Sequence, residues 1–560
     1  MSSNWWQEAI VYQIYPKSFK DSNHDGIGDI KGIIDELDYI KDLGVNTLWL
    51  NPIFISPQID NGYDISNYYA IDPIFGTEEE LELFIKEAHK RELKVVFDFV
   101  LNHTSKQHPW FQEALKGPEN IYRDYYIWEK PKEDNGLPNN WASFFGGSVW
   151  EMDDKSGEYY FHLFDKEMPD LNWENVEVRH AMLHIAKYWL SKGIDGYRLD
   201  AFIHMAKADL SLNVPDTPEG EFAIAEEYYA NLPKVQEYLA EFIGELRKIK
   251  PDIFILGEAA SATCELAKEY TDSNRNQCDT VVSFRYFPER VVEKNDKVPE
   301  SLLTKELDVS AFKETMAEWQ AALAGERYPT LYWNNHDMPR LVSRFGNDDT
   351  YRDESAKMLA TVMYLMRGLP VLLYGEEIGM KNLVSHDVSD FQAPEAVSYY
   401  KDMLAKGISS KEALARLSSV NKEASRGGMQ WTEEANAGFS TVSPWSGVNE
   451  EQLYNVREQS QDEESILSYY QALLRLKKES LFSEGAFELL PTSDASIVYR
   501  RFTEDKEALV IANMTDKICP IEVYVSLKEY DIVLSNLTSN SDNLKELPPY
   551  GVIVLIKNKK

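Results

Sequence analysis

Cysteine, basic residues and long apolar runs are all scarce in this sequence of 560 residues. The three cysteines form no CxxC or Cys/His spacing, so they exclude a disulfide framework, give no zinc motif and suit a reducing cytoplasm. No run reaches the ~18 consecutive apolar residues of a membrane span. Residues 1–19 lack the basic and apolar segments of a signal peptide. We therefore expect a cytoplasmic protein with no membrane partner.

Positive charge is in short supply, with 58 Lys and Arg against 93 Asp and Glu and a formal net charge of −35. A surface of this sign repels phosphate backbones, so nucleic acid is not an expected partner. Hydrophobic residues make up 43% of the chain, which argues against disorder. The length allows a large core and one or two further domains.

Short apolar runs alternate with helical patterns and predict a (β/α)₈ barrel. The predicted strands are 8–16, 45–52, 93–103, 193–201, 253–259, 279–284, 329–337 and 369–377. We assign residues 1–103 and 175–480 to the barrel, and residues 104–174, rich in Trp, Tyr, Gly and Pro, to an inserted subdomain. Alternating β runs, including one at 521–526, predict a C-terminal antiparallel β-sandwich domain over 481–560.

Polar residues mark the predicted C-terminal strand ends, where a barrel of this kind holds its active site. They are Asp98, Asn102 and His103 on the third strand, Arg198 and Asp200 on the fourth, Glu258 on the fifth, and His336 and Asp337 on the seventh. Arg198 and Asp200 share one strand face. The pair is either a structural ion pair or an anionic nucleophile steadied by its arginine. Buried carboxylates are costly unless paired or used, so several at one barrel mouth favour a functional reading.

Paired carboxylates, without a cysteine nucleophile, a phosphate loop or a zinc motif, favour glycoside hydrolysis without an organic cofactor. Arg198 is expected to keep Asp200 ionised, as a nucleophile must be. Glu258 follows the apolar run "IFILG", so we expect a raised pKa that suits a general acid. The sequence does not give the separation of the carboxyl groups, so retaining and inverting mechanisms both stay open.

Five segments resemble the signature regions of the α-amylase superfamily, glycoside hydrolase family 13: "DFVLNH" (98–103), "MPDLNW" (168–173), "GYRLDAF" (196–202), "GEA" (257–259) and "NNHD" (334–337). The resemblance covers nearly the whole chain and implies a retaining mechanism. Asp200 would be the nucleophile, Glu258 the acid/base and Asp337 the transition-state stabiliser. His103 and His336 would contact the sugar, unless they are satisfied core histidines, and Arg198 would orient Asp200.

Within the superfamily, the sequence is most similar to the oligo-1,6-glucosidase and α-glucosidase branch. Its segment "DSNHDGIGD" (21–29) resembles the metal loop of that branch. The implied ligands are the side chains of Asp21, Asn23, Asp25 and Asp29 and the carbonyl of Ile27. Such hard oxygen donors suit Ca²⁺ or Mg²⁺. An Asx-rich turn without metal is the alternative.

Two further segments resemble the walls of that branch's terminal sugar pocket. "DNGYDI" supplies Asp60 and Tyr63, and "SRGGMQW" supplies Arg426. An Asp60–Arg426 bridge would close the pocket so that only chain ends enter, whereas a plain Asn-Gly turn is the alternative for the first segment. Gly427 and Gly428 stand where the branch has Thr or Ser and then Pro, which favours a more flexible loop.

The residue after the nucleophile bears on linkage. In the resembling branch Val is typical of α-1,6 enzymes and Ala or Thr of α-1,4 enzymes, and here the residue is Ala201. Met168 also departs from the α-1,6 pattern, which has Gln. Phe145 and Phe164, with Phe144, are predicted either to stack on sugars at the entrance or to form subdomain core.

The sequence predicts a retaining exo-acting α-glucosidase that releases glucose from short α-glucooligosaccharides, with α-1,4 links favoured over α-1,6. One alternative is an oligo-1,6-glucosidase or dextran glucosidase acting on isomaltose-type substrates. A second is a family 13 transglycosylase or isomerase that makes trehalose or a sucrose isomer. A third is a non-catalytic transporter partner, but such relatives carry a membrane helix and lack the carboxylates found here.

Overall fold

The computed structural model describes residues 4–133, 136–391, 394–521, 529–537 and 545–559. Its strands are β1 Val11–Ile14, β2 Thr47–Leu50, β3 Phe54–Ile55, β4 Asn67–Ile71, β5 Lys94–Val100, β6 Trp128–Glu129, β7 Trp150–Asp153, β8 Glu158–Phe161, β9 Gly196–Asp200, β10 Phe254–Glu258, β11 Thr280–Val282, β12 Glu289–Val291, β13 Lys305–Leu307, β14 Thr330–Leu331, β15 Leu369–Leu373, β16 Ala486–Leu489, β17 Ser496–Phe502, β18 Lys506–Asn513, β19 Cys519–Pro520, β20 Asp531–Ser535, β21 Glu546–Leu547 and β22 Val552–Asn558.

Its α-helices are α1 Ile30–Asp35, α2 Leu37–Leu43, α3 Glu78–Lys90, α4 Pro109–Ala114, α5 Val176–Ser191, α6 Glu226–Tyr229, α7 Pro233–Arg247, α8 Cys264–Tyr270, α9 Val309–Ala322, α10 Leu341–Arg344, α11 Arg352–Tyr364, α12 Pro394–Ala405, α13 Ser410–Val420, α14 Val456–Gln459, α15 Ile466–Lys477 and α16 Ser480–Ser483. Local chemistry sets several of their ends. The α3 helix begins after a reciprocal capping box, in which the Glu80 N–H donates to Thr77 Oγ1 (3.2 Å) and the Thr77 N–H to Glu80 Oε2 (2.9 Å). The α2 helix ends at Gly44, whose φ of 104° is left-handed.

Eight strands form one sheet in the order β11-β10-β9-β5-β2-β1-β15-β14. Each of them lies inside one of the eight runs predicted from sequence. The predicted (β/α)₈ barrel is confirmed, as is the C-terminal antiparallel sheet. The β9 and β15 strands are buried along their whole length, and β15 is accordingly an apolar run without alternating polar residues.

The chain divides into two compact units. The first comprises Met1–Leu48, Lys90–Leu93 and Tyr286–Lys560. In it β1 and β14 each pair with β15 in parallel, and a five-stranded antiparallel sheet runs in the order β16-β17-β18-β22-β20. The strand predicted at 521–526 lies, beyond its first residue, outside the described residues.

The second unit comprises Trp49–His89 and Lys94–Arg285. Its strands β5, β9, β10 and β11 lie side by side in parallel. The predicted insertion carries its own antiparallel sheet, β6-β8-β7, while the domain boundaries given above stay a prediction. The register sets Asp98 beside Arg198, so charged side chains of neighbouring strands meet at one sheet end.

Candidate active site

Three carboxylates surround one guanidinium in the second unit. Arg198 Nη1 lies 2.8 Å from Asp98 Oδ1 and 2.5 Å from Asp200 Oδ1, and Arg198 Nη2 lies 2.9 Å from Glu258 Oε2. The side chain of Asp98 is 0% exposed, whereas those of Asp200 and Glu258 are 11% and 12% exposed. Arg198 and Asp200 therefore share one strand face as predicted, and two of the three carboxylates reach solvent.

Adjacent strands place these groups. Asp98 on β5 pairs directly with Arg198 on β9, and β10 flanks the other side of β9. Gly257, directly before Glu258, is closely surrounded, because a Cβ at this position would lie 2.6 Å from Cys278 Sγ and 2.7 Å from Phe202 Cε1. The cluster is a consequence of the parallel register of β5, β9 and β10.

Opposing influences act on the pKa of Asp200. Burial raises the pKa of Asp200, the charges of Glu258 and Asp98 raise it further, and Arg198 lowers it. Burial likewise raises the pKa of Asp98, to about 6. Arg198 acts in the predicted direction, but desolvation has the larger influence on the pKa of Asp200.

The predicted apolar setting of Glu258 is wrong. Its Oε2 contacts the Arg198 guanidinium and also accepts a hydrogen bond from the Ala201 N–H at 3.1 Å. Ala201 has φ 47° and ψ 22°, a left-handed conformation that is uncommon for alanine. The run "IFILG" that suggested an apolar pocket is instead the buried body of β10, with Glu258 at its polar end.

The "DNGYDI" segment is a turn, as Asn-Gly favours, with left-handed Asn61 (φ 49°) and Gly62 (φ 106°). The Tyr63 N–H donates to the Asp60 carbonyl at 3.1 Å. The Tyr63 hydroxyl donates to Asp98 Oδ2 at 2.9 Å. The turn therefore brings Tyr63 to the carboxylate cluster.

His103 is buried, and burial lowers the pKa of its imidazole. Its ring lies 5.1 Å from that of Phe164, which in turn lies 5.9 Å from the ring of Phe145. Phe145 is 42% exposed, whereas Phe144 packs against the hydrophobic cluster of the insertion. Of the two tandem phenylalanines, Phe144 therefore matches the prediction of a core residue, whereas Phe145 faces solvent, as a residue that stacks on sugars must.

In the first unit, His336, Asp337 and Arg426 form a second cluster. His336 Nε2 lies 3.2 Å from Asp337 Oδ2, and Arg426 Nη2 lies 3.0 Å from Asp337 Oδ1. Gln13 Nε2 lies 2.8 Å from His336 Nδ1, and the Tyr15 ring stacks on the imidazole at 6.1 Å. Asp337, with its side chain 28% exposed, is thus held between a histidine and an arginine that are both buried.

The segment around Arg426 is tightly hydrogen-bonded. Arg426 Nε donates to the His336 carbonyl at 2.8 Å, the Tyr374 hydroxyl to the Gly427 carbonyl at 2.7 Å, and the Gly428 N–H to the Gly447 carbonyl at 2.9 Å. Both glycines are buried at negative φ. The Asp60–Arg426 bridge joins residues of the two units and stays a prediction.

The predicted metal loop is closed by its own hydrogen bonds. Asp21 accepts from three backbone N–H groups of the loop and from Ser440, and Asp29 caps α1 through the Gly32 N–H at 2.7 Å. The Asn23 and Asp25 side chains bond within the loop. In the part of the chain that the structure describes, no three His, Cys, Asp or Glu side chains gather as a metal-binding group. Carboxylate, amide and the Ile27 carbonyl are the donor types that Ca²⁺ and Mg²⁺ take, so the loop chemistry fits such an ion.

Several residues that complete these clusters lie outside the predicted site. Trp49 donates its Nε1–H to Asp98 Oδ2 at 3.1 Å, and Gln13 and Tyr15 flank His336. Asp98 is predicted from the sequence only as a polar residue at a strand end. Its position directly before "FVLNH" on a buried strand indicates a role, since a buried charge needs a partner.

Comparison with known proteins gives consistent results. The family description "Alpha amylase, catalytic domain" matches residues 13–485. The oligo-1,6-glucosidase of Halalkalibacterium halodurans is 41% identical over 544 residues, covering 96% of this chain and 95% of the relative. The trehalose-6-phosphate hydrolase of Bacillus subtilis is 41% identical over 514 residues, covering 91% and 89%. A solved structure described as a "Family GH13_31 enzyme" superposes with a TM-score of 0.90 at 46% identity, covering 99% of this chain and 100% of that one.

The fold and the clustered carboxylates define a glycoside hydrolase of the barrel type. The chain belongs to the α-amylase family, glycoside hydrolase family 13, and is an enzyme that acts on oligosaccharides. The resemblance drawn from the signature segments is thereby confirmed. Among the described residues, no helix has both the length and the apolar character needed to cross a membrane.

Proposed function

We propose that this enzyme is a retaining, exo-acting α-glucosidase that releases glucose from the non-reducing ends of short α-glucooligosaccharides. The observation that carries the proposal is the shared contact of Asp200 and Glu258 with one guanidinium, at 2.5 and 2.9 Å from Arg198. Two carboxylates tied to one arginine are consistent with the short separation of about 5–5.5 Å that retaining enzymes use.

In the proposed reaction Asp200 attacks the anomeric carbon while Glu258 gives its proton to the leaving glycosidic oxygen. A covalent glucosyl ester forms at Asp200. Glu258, now a carboxylate, then takes a proton from water, which attacks the same carbon and frees Asp200. The reaction needs a proton on Glu258 and a charged carboxylate at Asp200, and the Arg198 guanidinium contacts both groups.

The remaining candidates are assigned to sugar binding. Asp337, held by His336 and Arg426, would bind sugar hydroxyls and stabilise the transition state. Tyr63, His103 and the Phe145–Phe164 pair would form further walls of the sugar site.

An Asp60–Arg426 bridge would restrict entry to chain ends, so maltoheptaose should first give glucose and maltohexaose. Early internal fragments would instead indicate endo cleavage.

For linkage, we propose a preference for α-1,4 over α-1,6 because the residue beside Asp200 is the small Ala201. The name of the oligo-1,6-glucosidase relative favours the second candidate, an enzyme for isomaltose-type substrates. Comparing kcat/KM on maltose, isomaltose, sucrose, trehalose and trehalose 6-phosphate, with products identified, separates these candidates from an isomerase or transglycosylase.

Replacing Ala201 by valine is expected to move the kcat/KM ratio toward isomaltose by about tenfold or more, since a methyl or two in a pocket discriminates by that much. Ala201 is left-handed (φ 47°), where a β-branched residue is strained, so thermal unfolding must be followed as well. Ala201→Gly is the matched control, because it relieves the backbone without adding volume. A wild type that prefers isomaltose tenfold would overturn the α-1,4 proposal and leave the α-glucosidase proposal intact.

We also propose that the loop at 21–29 holds a structural Ca²⁺ or Mg²⁺. Removing the ion with a chelator should lower the Tm by several degrees, because an ion that binds the folded state adds about 1–3 kcal/mol. Asp25→Ala should remove this sensitivity to chelator, since Asp25 is exposed and bonds only within the loop as far as the structure describes it. Asp29→Ala is the poorer test, because it also uncaps α1. An unchanged Tm with no metal in elemental analysis would contradict the proposal.

A further inference from the structure

In the second unit, the carboxylate of Asp98 is too deeply buried to contact a substrate. Its side chain is 0% exposed, and its Oδ2 accepts hydrogen bonds from Trp49 Nε1 at 3.1 Å and from the Tyr63 hydroxyl at 2.9 Å. Its Oδ1 faces Arg198 Nη1 at 2.8 Å. A carboxylate this deep is costly unless its partners are fixed. Asp98 is therefore anchored on one oxygen and turned to Arg198 with the other.

Arg198 in turn divides its nitrogens among three acids. Nη1 is shared between Asp98 and Asp200, whereas Nη2 contacts Glu258. A guanidinium is planar and presents its N–H donors in fixed directions, so each added contact further restricts its orientation. Without Asp98, Nη1 would be free to follow Asp200, and the plane could rotate away from Glu258.

We propose that Asp98 is a positioning residue which, anchored by Trp49, fixes the Arg198 guanidinium between Asp200 and Glu258 and sets the charge that these two groups share. The inference rests on the proposed function, because it concerns the groups assigned to the reaction. Asp98 acts through Arg198 and touches no substrate.

The charge consequence has a definite sign. The titratable groups that face Asp98 are Arg198 and Tyr63, with Asp200 and Glu258 beyond the guanidinium. The negative charge of Asp98 raises the pKa of Asp200. Removing that charge therefore lowers the pKa of Asp200, and the acid limb of the rate profile moves to lower pH.

The test is Asp98→Asn, assayed on an aryl α-glucoside from pH 4 to 9. We expect kcat to fall by about 10- to 100-fold, with KM within about threefold, since the contact is with the reacting groups and not with the sugar. The acid limb of kcat/KM should move down by at least about half a pH unit.

Asp195→Asn is the matched control. Asp195 directly precedes β9, is only 2% exposed, and contacts His89 (2.7 Å) and Lys94 (3.3 Å). The Asp195→Asn substitution removes a similarly buried charge next to the start of β9, the strand that carries Arg198. We expect a lower Tm with kcat within about threefold and an unmoved acid limb. A shift equal to that of Asp98→Asn would mean that burial alone explains the effect.

Trp49→Phe carries the test if Asp98→Asn does not fold, because it keeps an aromatic ring and removes one donor to Asp98. We expect kcat to fall by about 3- to 10-fold, with the pH profile changed. Folded variants that keep kcat within twofold and the wild-type pH profile would overturn the role of Asp98 while the α-glucosidase proposal stands. A wild type that cleaves no α-glucoside would overturn both.

Discussion

Replacing Asp200 by asparagine is expected to reduce turnover of α-glucosides by at least about a thousandfold without unfolding the protein, because covalent catalysis contributes many powers of ten. Asparagine has nearly the same shape as aspartate, and Arg198 keeps its contacts with Asp98 and Glu258. Glucose release and thermal unfolding, measured on the same preparations, check both halves of the expectation.

An Asp200→Ala variant tests whether Asp200 is the nucleophile or acts only through its negative charge. Azide can enter the space left by the carboxylate and attack the anomeric carbon, forming a C–N bond as the aryl oxide departs with its electron pair. The expected product from an aryl α-glucoside is the β-glucosyl azide, since attack comes from the face opposite the leaving group. Asparagine-variant activity above a thousandth of wild type, or an α-configured azide product, would contradict the assignment.

Much of the fold can be predicted from the sequence because most barrel strands are short apolar runs that end in polar residues. Arg198 and Asp200, two positions apart, met on one face as strand geometry requires, at 2.5 Å. Local spacing decides such a contact, so sequence alone suffices. The same holds for the turn at Asn61–Gly62, which needs left-handed residues.

The failures concern contacts that depend on register and on distant segments. Glu258 was expected in apolar surroundings because the residues before it are apolar, but β10 lies beside β9 and delivers it to Arg198. Trp49 meets Asp98 across 49 positions of sequence. No local pattern encodes either contact. The same limit applies to charge, since burial by the whole unit, and not the neighbouring arginine, sets the direction of the Asp200 pKa.

Replacing Glu258 by glutamine is expected to cause the second large loss of activity, and the size of that loss should depend on the leaving group of the substrate. On oligosaccharides, whose departing oxygen needs a proton, we expect activity to fall by about 10²- to 10⁴-fold, the usual contribution of a general acid. On aryl glucosides with acidic phenols the first step needs little proton assistance, so its rate should fall much less. Burst kinetics with such a phenol separate the two steps, because glucosyl-enzyme should accumulate when no base activates water.

Geometry supplies the control for this prediction. Glutamine can keep an oxygen near the Ala201 N–H, which lies 3.1 Å from Glu258 Oε2, but it removes the charge that faces Arg198. If that charge served only to hold Arg198, the loss would be equal for good and poor leaving groups, and no burst would appear. Asp98→Asn provides this comparison, since it disturbs Arg198 while leaving the acid in place. Equal losses on both substrate classes for Glu258→Gln would therefore reassign Glu258 from proton donor to a second anchor of the guanidinium.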